Sequence, residues 1–180
     1  MTLKDILTDV LTLLDIRDVS LSDELIAEDI RIATIVDCVN FALEEIAASC
    51  MPLIACDTLE FKDGAASFSS LSEQVYKVIA VEVGGEAIPF TQDVSGIRAD
   101  TDSAQVRYRY LPRKMSKLAD RAHIAVGVPR IAAAYYACAE YALVRGEFDQ
   151  RVAYEDKFND IIKDIQRPAK SLHVRQRQWR

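Results

Sequence analysis

Apolar residues recur at helical spacing from the first turn. Leu3, Ile6, Leu7, Val10, Leu11, Leu13 and Leu14 gather on one face, and Lys4, Asp5, Thr8, Asp9, Thr12 and Asp15 take the other. This spacing predicts an amphipathic helix. A break follows at Arg17-Asp18-Val19-Ser20. Ser20 and Ser22, with Asp23 and Glu24 behind them, have the chemistry of a helix start. From there Ile32, Ile35, Val36, Val39, Leu43 and Ile46 form the stripe of one long helix. It is expected to run to about Met51, where Pro52 stops it.

The period then changes from 3.6 to 2. Thr58-Leu59-Glu60-Phe61-Lys62 alternates, Asp63-Gly64 has the form of a tight turn, and residues 65–69 continue beyond it. Residues 75–83 form a second apolar run, which Gly84-Gly85 turns back into Glu86-Ala87-Ile88-Pro89-Phe90. Residues 91–103 are polar and read as a connection. Residues 104–111 alternate again, with Val106, Tyr108 and Tyr110 facing one way and Arg107 and Arg109 the other. Four or five short antiparallel strands are therefore predicted, with hairpin turns at Asp63-Gly64 and Gly84-Gly85.

Helix returns after Gly127-Val128-Pro129, with Pro129 placed for a first helical position. Residues 131–145 are rich in Ala and Tyr, and Gly146 suits a C-cap. The small residues Ala132, Ala133, Ala134, Ala137, Ala139 and Ala142 permit close helix approach. A further helix is predicted from about Asp149, with Tyr154, Phe158, Ile161, Ile162 and Ile165 inward, ending at Pro168.

The predicted fold is thus α+β and mainly α: a bundle of about four helices with a small antiparallel β-sheet inserted at about 56–112. Residues 1–169 form one domain, and residues 170–180 form an extended basic arm. Leu7, Val10, Leu14, Val36, Val39, Leu43, Phe158 and Ile162 are the expected helical core.

Composition narrows the class. The chain has 180 residues, half of them hydrophobic and 28% charged, with only 6 Gly and 5 Pro. A collagenous, low-complexity or wholly disordered chain is excluded. No apolar run approaches the ~18 residues of a membrane span, so no membrane partner is expected. The first residues lack the pattern of a secretory signal. Cys38, Cys50, Cys56 and Cys138 include no C-x-x-C pair, and the histidines are only His123 and His173. A zinc site is not expected, and the cysteines read as reduced small hydrophobes of a cytosolic product.

Net charge of −6 conceals an asymmetry. Residues 1–60 hold 13 acids and 3 bases, and residues 61–166 hold 15 acids and 14 bases. Residues 167–180 hold 5 bases and no acid. Such polarity points to contact between an acidic surface and a basic arm, within a chain, between copies or with a partner.

Motifs of catalysis are missing. There is no phosphate loop, no G-x-G-x-x-G and no G-x-S-x-G, so neither a cofactor nor an enzymatic activity is expected. His123 has no nucleophile motif beside it and reads as a loop or helix-end residue. Glu44 and Glu45 are adjacent on a helix and point about 100° apart, which makes no dyad. Asp156, Asp160 and Asp164 read as a solvated face, with Lys157 and Lys163 interleaved.

The candidate site is the arm itself. Lys170, His173, Arg175, Arg177, Trp179 and Arg180 combine directional cations with a large aromatic anchor. They suit insertion into an acidic groove of a partner. Eleven extended residues reach ~35 Å. An acidic body argues against wrapping of DNA by the arm alone.

The order of these parts resembles head–tail connector proteins of tailed bacteriophages, also called adaptor, neck or head-completion proteins. The resemblance is carried by Val106-Arg107-Tyr108-Arg109-Tyr110-Leu111-Pro112 and by the helix from Tyr135 to Gly146. Glu147-Phe148-Asp149 leading into Tyr154-Glu155-Asp156-Lys157-Phe158, and the charged arm, complete it. It is one of pattern along nearly the whole chain. It implies a virion structural protein, made in the host cytoplasm and placed at the head–tail interface. Such proteins form homo-oligomeric rings, commonly dodecamers, beneath the portal protein. They offer a platform to a downstream tail or neck protein, and genomic DNA passes through without sequence-specific binding. An acidic body suits a channel through which DNA slides. The alternative class is a DNA-binding packaging or regulatory protein, which salt-dependent binding to duplex DNA would reveal.

Overall fold

The first helix begins with a reciprocal cap. In a computed structural model that describes residues 1–167, the Thr2 hydroxyl accepts from the Asp5 N–H and the Asp5 carboxylate accepts from the Thr2 N–H at 2.7 Å. These bonds hold the Asp5 carboxyl below its usual range and satisfy two N–H groups of α1 (Leu3–Leu13).

The second predicted helix is in fact two. Ser22 caps α2 (Asp23–Glu28), and Asp29 ends it with an extended backbone. Asp29 then caps α3 (Ile30–Glu45), its carboxylate accepting from the Arg31 and Ile32 N–H groups. A side chain that bonds the backbone locally competes with helix continuation, which is why the chain breaks here. After α3 the helix widens into a π-turn, Ile46–Cys50, before Pro52 releases the chain into a strand.

The strand region is larger than a small insert. It contains β1 (Leu53–Glu60), β2 (Ala65–Ser67), β3 (Val75–Val83), β4 (Glu86–Ile88), β5 (Phe90–Gln92), β6 (Gly96–Ala99) and β7 (Ser103–Tyr110). They form two antiparallel sheets, ordered β1-β7-β3-β4 and β2-β6-β5. In the first, Val106 of β7 lies between Asp57 of β1 and Val81 of β3. Gly84-Gly85 closes the β3–β4 hairpin as expected. Asp63-Gly64 is a turn, but β1 and β2 on either side of it belong to different sheets.

The mainly helical four-helix bundle is therefore incorrect. Five α-helices, four of them of seven residues or more, stand beside seven strands, with 46% of the described residues helical and 25% in strands. The error lies largely in residues 91–103, which read as a polar connection yet supply most of β5 and β6. Their turn is built by Asp93, whose carboxylate accepts from Ser95 N–H, Ser95 hydroxyl and Gly96 N–H. That is the Asx chemistry of a hairpin, and it is polar by necessity. Gly96 is also required by contact: a Cβ there would collide with the Ala66 carbonyl of β2.

Two hydrophobic cores result. One joins Leu59, Phe61, Ala66, Val78, Val81, Ile97, Ala99, Ala104, Val106 and Tyr108 between the sheets. The other lies among the helices, with α4 (Arg130–Arg145) at its centre and α5 (Phe148–Gln166) on its flank. Ala132, Ala133, Ala134, Ala137 and Ala142 of α4 are fully or almost fully buried, which lets α1, α3 and α5 all approach it closely. Leu7, Val10, Val36, Val39, Leu43, Phe158 and Ile162 are buried here, and Leu14 is half-buried against them. Pro129 caps α4 from outside, and Gly146 ends it at φ 74°. Extensive contacts run helix to helix and strand to strand, and none of comparable extent joins a helix to a strand.

Residues 111–129 strap the helical half together. Asp120 and Leu118 carbonyls accept from the Leu3 and Lys4 N–H groups of α1. Buried Asn40 of α3 exchanges two hydrogen bonds with the Met115 backbone, at 2.9 and 2.8 Å. The strap thus satisfies an amide that the core could not otherwise bury.

Candidate partner-binding groove

Phe41 departs from the apolar stripe of α3. Val39, Leu43 and Ile46 point into the core, whereas Phe41 stands 47% exposed on the polar face. It stacks on Tyr136 of α4 with ring centroids 6.4 Å apart, and Tyr136 meets Phe158 of α5 edge-on at 4.8 Å. This aromatic series anchors Phe41 from beneath and leaves its outer face free among described residues.

Around it lies a groove of about 490 Å³ between α3 and α4. Asp37 and Glu44 flank Phe41 at four and three residues along α3, and Glu140 and Val144 rise from α4. Among the described residues, Lys114 of the strap is the only base lining it. Among the described residues, Asp37, Glu44 and Glu140 take part in no ion pair. Burial pushes the Glu140 carboxyl up; Arg151 opposes this, and Glu155 and Glu45 add to it. The Tyr136 hydroxyl is pushed up to about 12, first by burial and then by Glu140, Glu45 and Glu155. Among the described residues the groove therefore has three carboxylates against one base, over a partly apolar floor.

The arm residues Lys170, His173, Arg175, Arg177, Trp179 and Arg180 all lie outside the described residues. Other sequence candidates are placed clearly. His123 sits half-buried in the strap. Asp156, Asp160 and Asp164 are exposed along α5, where Lys163 and Arg167 pair with Asp160 and Asp164 at 3.7 and 2.9 Å. The four cysteines are free thiols. Cys38 and Cys138 are buried, which raises their thiols to about 11 and about 12 and leaves them unreactive. Among the described residues no helix is long and apolar enough to cross a membrane.

One polar cluster had no signal in sequence. The Tyr108 hydroxyl donates to Asp57 at 2.7 Å, and Ser72 donates to the same carboxylate oxygen through its N–H and hydroxyl at 2.7 and 2.8 Å. The Glu73 N–H donates to the Tyr108 oxygen, and Arg113 grips Glu73 with two bonds. Asp57 and Tyr108 lie 51 residues apart, so no local spacing announces them. Hydrogen bonds hold the Asp57 carboxyl low, the Ser72 N–H contributing most, while burial raises the Tyr108 hydroxyl. A weaker base facing a weaker acid holds its proton in place, and the cluster is a clasp between β1, β7 and the loop after β2. Phe41 did carry a signal, as a large aromatic on the charged side of a helical stripe.

No protein-family model matches the sequence, and no curated protein matches it.

Proposed function

We propose that this chain is a virion structural protein, a head–tail adaptor that assembles as a ring beneath the portal of a tailed phage. The ring extends the DNA channel and offers the attachment platform for a tail or neck protein. The observation that carries this reading is the character of the described surface: it offers places to dock. The groove between α3 and α4 is open, aromatic-floored and carboxylate-rimmed. Val94 at the β5–β6 turn and Val126 in the strap before α4 are fully exposed apolar tips. An open groove of this kind on an otherwise self-satisfied half supports a contact surface there. The polar clusters, by contrast, close on themselves as caps and clasps. All 28 acids fall within residues 1–166 against 17 bases, so the body repels a polyanion passing alongside it.

The test is a mass measurement of the full chain, alone and mixed with portal rings, followed by imaging of the mixture. A stoichiometric ring seated on the portal is the expected result. A protein that ignores the portal and instead binds duplex DNA with steep salt dependence would overturn it.

A further inference from the structure

The outer face of the four-stranded sheet is the cationic counterpart of the α3–α4 groove. Along β7 the buried residues Ala104, Val106 and Tyr108 alternate with Gln105, Arg107 and Arg109, which therefore point away from the core. Arg109 lies opposite Ile54 of β1 on one side and Lys77 of β3 on the other. Arg107 lies opposite Cys56 and Ala80, and it pairs with Glu82 at 3.3 Å. Among the described residues, Lys77 and Arg109 take part in no ion pair. Two cations set directly across a ladder repel each other, a cost that a partner's carboxylates would remove. Ile54 and Tyr76 stand exposed beside them.

The groove presents the opposite set, with Asp37, Glu44 and Glu140 around exposed Phe41 and Val144. We propose that this groove seats the outer face of the β1-β7-β3 sheet of a second copy of the chain, through Ile54, Lys77 and Arg109. Ile54, Arg109 and Lys77 sit side by side on adjacent strands and make a row about 10 Å long. Asp37 and Glu44 are seven helical steps apart, also about 10 Å. Laid over α3 and α4, the row sets its cations within side-chain reach of the carboxylates and its isoleucine against the Phe41 ring. A cation arriving beside Glu140 also offsets the burial that pushes its carboxyl up.

The positions of the two surfaces favour a second copy. Both are built from described residues and both are exposed in one folded chain, so neither covers the other within it. A nucleic acid is the poorer match to the cationic row. Glu60 and Glu82 lie on the same face, and residues 1–166 hold 28 acids against 17 bases. Each copy gives one sheet face and receives one in its groove, a heterologous contact that closes into a ring when the rotation between copies closes. This contact rests on the adaptor reading only in requiring that copies gather.

The test is sedimentation of the full chain at low salt over rising concentration. A mass climbing above the monomer is expected. Lys77→Glu with Arg109→Glu, and separately Asp37→Lys with Glu44→Lys, each lower association about tenfold while circular dichroism stays native. Either variant alone opposes like charges. When the two are mixed, the anionic sheet of the first meets the cationic groove of the second, and association returns. Independently, a photoactivatable benzophenone amino acid in place of Cys56 is expected to link isotope-labelled chains to unlabelled ones at residues 34–44 or 140–144. A monomer at every concentration, loss in one variant but not the other, mixtures that stay apart, or links that miss the groove would each overturn the assignment. So would binding of single-stranded DNA that Lys77→Glu with Arg109→Glu abolishes while self-association is untouched. Association by this contact in a protein that ignores the portal leaves the contact in place and sinks the adaptor reading. Seating on the portal by chains indifferent to both charge reversals does the reverse.

Discussion

The helical half and the sheet half are stabilised in different ways. Around α4 the helices bury a continuous run of aliphatic side chains from Leu3 to Ile162, with alanines setting the spacing. The sheet half buries fewer groups and supplements them with hydrogen-bonded turns and the Asp57–Ser72–Tyr108 clasp. Dispersion and hydrophobic burial tolerate small shifts, whereas a clasp holds only one geometry. The half that carries the groove is thus held by bulk, and the half that carries the exposed Val94 tip by direction.

The largest expected effect breaks the helical half alone. Leu43→Ala should lower stability by ~2–5 kcal/mol. In hydrogen exchange, amides of α3 and α4 should lose protection while those of β3 and β7 keep theirs. Equal loss in both regions would show that the cores unfold as one. In the sheet half, Gly96→Ala drives a methyl group against the Ala66 carbonyl. We expect a loss of ~1–3 kcal/mol from such overpacking, with exchange rising first in β2, β5 and β6.

Tyr108→Phe sharpens the comparison. It deletes one donor to Asp57 and one acceptor for the Glu73 N–H, at about 1 kcal/mol, because Ser72 still holds the carboxylate. The Asp57 carboxyl is lower in the folded chain than unfolded. Its stabilisation is therefore present above the unfolded carboxylate value and disappears as pH falls through the folded one. Acid titration of Asp57→Asn should show a shallower loss than the native chain over that window; parallel curves would remove the clasp from the account.

The smallest effect belongs to the groove. Glu140 is raised in the folded chain, so its ionisation opposes folding as pH rises through and above the carboxylate range. Glu140→Gln should raise the melting temperature at neutral pH and converge with the native chain in acid. A lower melting temperature at neutral pH would mean that the carboxylate is already compensated.

What could be read from sequence follows from how far each signal reaches. The helical core was legible because Leu7, Val10, Val39 and Leu43 obey a local 3.6-residue period. The Gly84-Gly85 hairpin was legible for the same reason, through turn chemistry. Asp29 was passed over because a helix N-cap inside a continuous stripe looks like an ordinary polar position. β5 and β6 were passed over because strands of three and four residues show too few alternations to register. The separate core of the sheets depends on β2 pairing with β6 across 30 residues, which no window along the chain contains. The groove needs α3 and α4 side by side, so its rim residues appeared in sequence only as scattered acids.

β1 has one strand partner among the described residues, β7, and so presents an open edge eight residues long. Edges of this kind invite stacking of copies into fibrils. Asp57 sits mid-strand on the core-facing side, its charge claimed by Ser72 and Tyr108. A strand adding itself to β1 would meet a fixed carboxylate where it needs apolar cover. The carboxylate that fastens the sheet to its loop thus also guards this edge against pairing with another chain.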